Sequence, residues 1–311
     1  MRRLAFVVCL AALGWAAITS AQARDVVLRY NYLAGESRTY GLGLSGTGTV
    51  VLAGMSAPFD FSATTAMTQT CREVADDGAM EIESVSSPVS ASASLAGEPL
   101  EVGDLPTEET RMSYALYPNG KVDLVSTLGG GGGVALGVLG VAMDPYDLVK
   151  AAAGATLPEE AVSEGSQWTR KVQLPLPGGK TAELTATSTL SGFKVENGLD
   201  CAVIDTQFSM PFSLEFPTLG LALEGWAAGK MNEVVTVEQL KTLSQTGDIS
   251  LSFSSSAQQG QDTETLLGPG ALSDIKLTLN TAFNLHLQDA GTEGGSAGSS
   301  VGTASSQDPQ E

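Results

Sequence analysis

His286 is the only histidine in the chain, and Cys71 and Cys201 are the only cysteines outside the first residues. A Ser-His-Asp triad therefore has a single candidate base, and a histidine-based zinc site cannot be assembled. His286 falls in a segment where Ala282, Asn284 and His286 alternate with Phe283, Leu285 and Leu287. That period of two places it on the solvent side of a strand. The adjacent acids Asp76-Asp77, Glu108-Glu109 and Glu159-Glu160 sit in turn-like segments, whereas the carboxylates of a glycosidase face each other across a cleft. A carboxylate-dependent hydrolase is the weakest of the functional readings. No catalytic residue, metal or cofactor is expected.

Two glycine motifs fail on context. Gly41-Leu42-Gly43-Leu44-Ser45-Gly46 has dinucleotide-binding spacing, but Thr47-Gly48-Thr49-Val50-Val51 follows it, and the pattern works only where a strand hands over to a helix. Gly179-Lys180-Thr181 ends like a phosphate loop, yet Leu174, Pro175 and Pro177 stand where that loop needs glycine and freedom. It reads as a hairpin turn.

Cys71 and Cys201 lie on strands beside corresponding turns of two similar halves. In an oxidising compartment an even pair predicts a disulfide, which would staple the halves together.

The one stretch that could recognise a ligand is apolar. Val134-Ala135-Leu136-Gly137-Val138-Leu139-Gly140-Val141-Ala142-Met143 carries no polar side chain, and five glycines, Gly129 to Gly133, precede it. Exposing it to water is unfavourable, so something covers it: the protein's own sheet, a lipid or other apolar ligand, or a partner surface. The glycines resist no backbone conformation and would let the stretch move as a flap. Val134, Leu136, Val138, Leu139, Val141 and Met143 are the candidate ligand-binding residues.

The elements around it are strands. Aromatic residues make up 6% of the chain, glycine is abundant, and the apolar content sits in Val, Leu and Ala, which suits strands and turns rather than a helical bundle. Strands are predicted from Val26 to Leu33, on both sides of a Ser45-Gly46 turn, from Phe59 to Val74, and onward through turns at Asp76-Asp77-Gly78, Asn119-Gly120, Gly178-Gly179 and Asn197-Gly198. Asp144-Pro145 opens one short helix that Gly154 stops. Residues 289–311, rich in Gly, Ser and Thr, are expected to be disordered.

Arg2-Arg3, an apolar run to Ile18 and small residues at Ala21 and Ala23 form a secretory signal, cleaved after Ala23. Cleavage removes two arginines and no acid from a chain of formal charge −19, leaving the exported protein more acidic still. That charge repels phosphate backbones and excludes nucleic acid as a partner. No later run is long enough for a transmembrane span. A periplasmic or extracellular location follows.

Gly35-Glu36-Ser37-Arg38-Thr39-Tyr40 answers to Gly165-Ser166-Gln167-Trp168, and Val74-Ala75-Asp76-Asp77-Gly78 answers to Val195-Glu196-Asn197-Gly198. The chain thus divides into a signal (1–23), a first β half (24–127), a Gly-rich apolar flap with a short helix (128–157), a second β half (158–287) and a tail (288–311). Leu157-Pro158 followed by Gly165-Ser166-Gln167-Trp168 resembles a group of secreted bacterial β-proteins. The architecture also resembles the periplasmic lipoprotein-carrier fold, an unclosed barrel that shelters acyl chains. That resemblance implies apolar-ligand binding. The expected fold is mainly β, with long antiparallel sheets arranged as an open half-barrel or a sandwich of two pseudo-repeated halves, plus one short central helix. The expected function is noncatalytic binding of a lipid or other apolar ligand; the alternative is a structural or surface-interaction β-protein.

Overall fold

A computed structural model describes residues 24–52, 54–100, 109–128, 134–136, 141–143, 157–176, 180–216, 221–257 and 276–288. The signal (1–23), the central helix from Asp144 and the tail (289–311) lie outside the described residues. So does the Gly178-Gly179 turn.

The first half supplies β1 (Ser37–Leu52), β2 (Met55–Val74), β3 (Met80–Ser86), β4 (Ser90–Leu95), β5 (Glu98–Leu100), β6 (Thr110–Leu116) and β7 (Val122–Leu128). The flap stretch contains β8 (Val134–Leu136) and β9 (Val141–Met143), and the second half supplies β10 (Gln167–Leu176), β11 (Lys180–Glu196), β12 (Leu199–Phe216), β13 (Leu221–Thr236), β14 (Thr242–Ala257) and β15 (Lys276–Gln288). All but β8 and β9 belong to one antiparallel sheet of 13 strands, in the order β10-β11-β12-β13-β14-β15-β1-β2-β3-β6-β7, with β4 and β5 branching from β2. Thirteen of the described strands therefore form one open sheet rather than a sandwich.

The turns follow from local chemistry. Asn197 and Gly198 both adopt positive φ, at 52° and 76°, the pair of conformations that a two-residue hairpin turn requires. Gly78 and Gly120 also have positive φ, and the Asn119 side chain accepts a hydrogen bond from the Lys121 amide.

Two expected elements differ. Ser45-Gly46 is not a turn: β1 runs unbroken through it, paired on both sides. A Cβ on Gly46 would collide with the Phe61 ring on β2, so the glycine is there to admit a neighbouring ring. Val26–Leu33 joins no ladder beyond one bridge between Val26 and Val162. It crosses one end of the sheet instead, Tyr30 N–H donating to the Pro118 carbonyl at 2.9 Å and Asn31 N–H to the Gln239 carbonyl at 3.2 Å.

Those two bonds demand curvature. Pro118 follows β6 and Gln239 precedes β14, and the order places β6 and β14 five strand steps apart, about 24 Å in a flat sheet at the usual spacing. Consecutive residues can reach both turns only because the sheet curls round the segment. Leu157 N–H also donates to the Asn119 carbonyl, tying the approach to edge strand β10 to the turn beside edge strand β7.

The halves share a local pattern. Gly35 N–H donates to Cys71 O while Cys71 N–H donates to Glu36 O; Gly165 N–H donates to Leu190 O while Leu190 N–H donates to Ser166 O. A register shift follows Cys71 in one half and Leu190 in the other. Cys71 is thus the counterpart of Leu190, not of Cys201. The expected disulfide is absent from this structure: both thiols are free and buried, Cys71 packed with Tyr32, Met80 and Ile82, and Cys201 in a separate cluster with Val234 and Leu243.

Candidate functional site: the inner face of the curled sheet

Strand register sorts the sheet into two faces with different chemistry. Through successive cross-strand pairs, Phe212, Gly225, Phe253, Leu277, Val50 and Ala57 lie in one row, and Met210, Ala227, Leu251, Leu279, Gly48 and Phe59 in the next. This is the inner face, on which Tyr32, Met80, Ile82 and Tyr114 pack at one end. The opposite face is a field of hydroxyls and amides, with Ser250, Ser252, Thr278, Asn280, Thr47 and Thr49 as neighbours. Hydroxyl pairs cross between strands there, Thr39 with Thr68 at 3.0 Å and Ser62 with Ser92 at 2.9 Å. His286 is exposed on that polar face, as its alternation predicts.

The inner face is panelled by rings laid over glycines. Gly46 faces Phe61, Gly229 faces Phe208 and Gly247 faces Phe283 across their ladders, and in each pair a Cβ on the glycine would strike the ring. A phenylalanine that lies down on a glycine leaves the wall smooth and lets the strands bend.

One end of this trough is closed. Val26 and Leu28 pack with Leu157, Val162, Leu190, Ile204, Val235 and Leu240, burial that makes the Asp25–Leu33 segment a plug. Beside the plug lies a cavity of about 240 Å³, whose lining includes Tyr30, Tyr32, Arg38, Tyr40, Gln69, Tyr114, Leu240, Thr242 and Leu285. Tyr32 Oη donates to Gln69 Oε1 at 2.8 Å and Gln69 Nε2 to Tyr114 Oη at 3.0 Å. Arg38, 2% exposed, donates from Nε to Glu36 at 2.8 Å and from a terminal nitrogen to the Asn31 carbonyl at 2.9 Å. Burial works against the Glu36 carboxylate, but the Arg38 hydrogen bond and the Leu33 amide outweigh it and hold its pKa low. Burial raises the phenols of Tyr30, Tyr40 and Tyr114, which stay protonated.

Two more charged groups lie on the inner face. Glu233 sits in the inner row with Ile204 and Gln245 and accepts a hydrogen bond from Thr242 at 2.8 Å; burial pushes its carboxyl up. Arg170, on β10, shares the inner face with Trp168 and Val172, and its Nε is buried without a partner. Burial depresses its pKa, against the attraction of Tyr30 and Glu233.

Wider depressions of about 500 Å³ and 520 Å³ lie on the polar face, lined by residues such as Asp60, Asp248 and Asn280, or Asp205, Lys230 and Asn284. Among the described residues no cluster of His, Cys, Asp and Glu could hold a metal ion, and no helix is long and apolar enough to cross a membrane. Asp76, Asp77, Glu109, Glu159 and Glu160 are all exposed.

The described residues of the predicted flap form two short paired strands. Val134 pairs with Met143, Ala135 with Ala142 and Leu136 with Val141, in a two-stranded sheet separate from the large one. Val138 and Leu139 lie outside the described residues. The sequence reading did not single out Arg38, Arg170, Glu233 or the tyrosines. The usable signal was parity, since Arg170 alternates in step with Trp168 and Val172, and Arg38 with Tyr40.

No protein-family model and no curated protein matches the chain. Among solved structures, a lipovitellin studied for lipid–protein interactions is similar at 8% identity and a TM-score of 0.43, over 83% of this chain. The chain spans only 25% of the lipovitellin chain. DynF from the dynemicin biosynthesis pathway of Micromonospora chersina matches at 11% identity and a TM-score of 0.20, over 86% of each chain. An outer membrane channel from Pseudomonas putida F1 matches at 7% identity and a TM-score of 0.19, over 83% of this chain and 97% of that one.

Proposed function

We propose that this chain is an exported, noncatalytic protein that holds a lipid or other apolar ligand against the inner face of an open half-barrel formed by its two halves. The observation that carries the reading is the cavity beside the Asp25–Leu33 plug, which shares a face of the sheet with rows of Leu, Phe, Met and Ala, while the other face carries Ser, Thr and Asn. A wall of this kind draws an acyl chain out of water at roughly 25 cal/mol per Å² of apolar surface removed. The plug closes one end, so the ligand would enter from the other. The Val134–Met143 stretch, apolar throughout and preceded by five glycines, would serve as its cover.

The surface-interaction alternative draws on a different observation: Val195 and Leu199, which flank the Asn197-Gly198 turn, are 75% and 45% exposed. Mass spectrometry of an organic extract of the natively secreted protein separates the two. A stoichiometric amphiphile or lipid supports the carrier reading. A ligand-free protein that also fails to take up Nile red would leave the surface-interaction reading standing.

A further inference from the structure

Arg170 is in a costly position. Its guanidinium lies on the inner face of an edge strand, its Nε is buried with no acceptor, and among the described residues it makes no ion pair. Burying a donor N–H without an acceptor is unfavourable, so a protein with no use for this arginine would carry a smaller, neutral residue there. The other inner-face arginine shows the satisfied state: Arg38 has a carboxylate, a carbonyl and an aromatic ring. Glu233 is close enough to attract Arg170 but accepts its hydrogen bond from Thr242 instead. Tyr30 and Thr242 line the cavity and join it to this pair. The inner face thus presents one guanidinium with an unpartnered Nε, within electrostatic reach of Tyr30 in the cavity lining.

We infer that Arg170 anchors the monoanionic head group of a single-chain amphiphile whose tail lies along the inner face. This rests on the carrier reading and names its ligand class. A fatty-acid carboxylate and a lysophospholipid phosphodiester share the required chemistry: one negative charge, and two oxygens that a guanidinium can grip side by side. The tail supplies affinity and the head sets orientation. With the head at Arg170, the tail runs away from the plug, past Phe208 and Met210 on β12.

The test is displacement of Nile red, a neutral probe, from the full-length exported protein by oleate, by lysophosphatidylglycerol and by uncharged monooleoylglycerol. The expected result is that one of the anions competes about tenfold better than monooleoylglycerol; which anion wins identifies the source. In Arg170→Gln that advantage disappears while monooleoylglycerol competes as before, and Arg170→Lys retains part of it. The comparison within the parent protein needs no variant, so a misfolded Arg170→Gln does not block the test. Equal competition by all three lipids in the parent would overturn the anchor and leave the carrier reading intact. Failure of Nile red and of every lipid to bind would overturn both.

Discussion

The guanidinium carbon of Arg38 lies 3.5 Å from the centroid of the Tyr32 ring. This contact joins the plug to the sheet, because Tyr32 belongs to the segment that crosses the end of the trough and Arg38 to β1. Arg38 also fixes Glu36, whose second oxygen accepts the Leu33 amide at 3.0 Å. Arg38→Met leaves Glu36 half-buried without its cation, and breaking such a pair costs about 3–5 kcal/mol. The thermal midpoint is expected to fall by roughly 10 °C for a chain of this size, read by circular dichroism. A midpoint within a degree or two of the parent would show that the plug does not depend on this contact.

Gly46 and Phe61 form a second testable pair. In Gly46→Ala the new methyl meets the Phe61 ring and the Asn280 carbonyl, so the variant is expected to lose about 1–3 kcal/mol by overpacking. Removing the ring relieves part of the clash. Chemical denaturation of Gly46→Ala, Phe61→Ala and the double variant should give a double loss smaller than the sum of the single ones. Simple additivity would mean that the ring does not lie on the glycine.

Glu233 makes the stability pH-dependent in a defined direction. Burial raises its folded pKa above the ordinary 4.5, so the folded state holds the proton more tightly than the unfolded chain. Its contribution is fully present below pH 4.5 and is lost as pH rises through the folded value. Glu233→Gln, which mimics the protonated carboxyl, should therefore match the parent midpoint in acid and exceed it near neutrality. A constant difference from acid to neutral pH would contradict the burial argument.

The sequence made the strands legible wherever neighbouring residues carried the signal. The alternation of Ala282 to Leu287 and the Asn-Gly pairs at 119–120 and 197–198 describe local geometry, and the structure follows them. Gly46 misled because its reason lies across the ladder in Phe61, and cross-strand partners are known only once register is known. Val26–Leu33 looked like a strand because it is apolar; it earns that composition as a plug buried against Leu190 and Ile204. The cysteines failed for a related reason, since proximity to similar turns does not make two positions equivalent when one precedes its turn and the other follows it. The charged residues of the inner face were hidden by ordinary strand patterning. A lone arginine between Thr169 and Lys171 reads as surface until its parity with Trp168 places it inside.

The central claim is that an apolar ligand occupies the inner face and not the outer one, and the two tryptophans beyond the signal report on the two sides. Trp168 is half-buried on the inner face against the plug cluster, whereas Trp226 is 49% exposed among the polar residues of the opposite face. Fluorescence quenching by a fatty acid brominated along its chain, in Trp226→Phe and Trp168→Phe variants, is the direct measurement. The account predicts saturable quenching of Trp168 at stoichiometric ligand and none of Trp226. Quenching of Trp226 alone, or of neither tryptophan at saturating ligand, would contradict it.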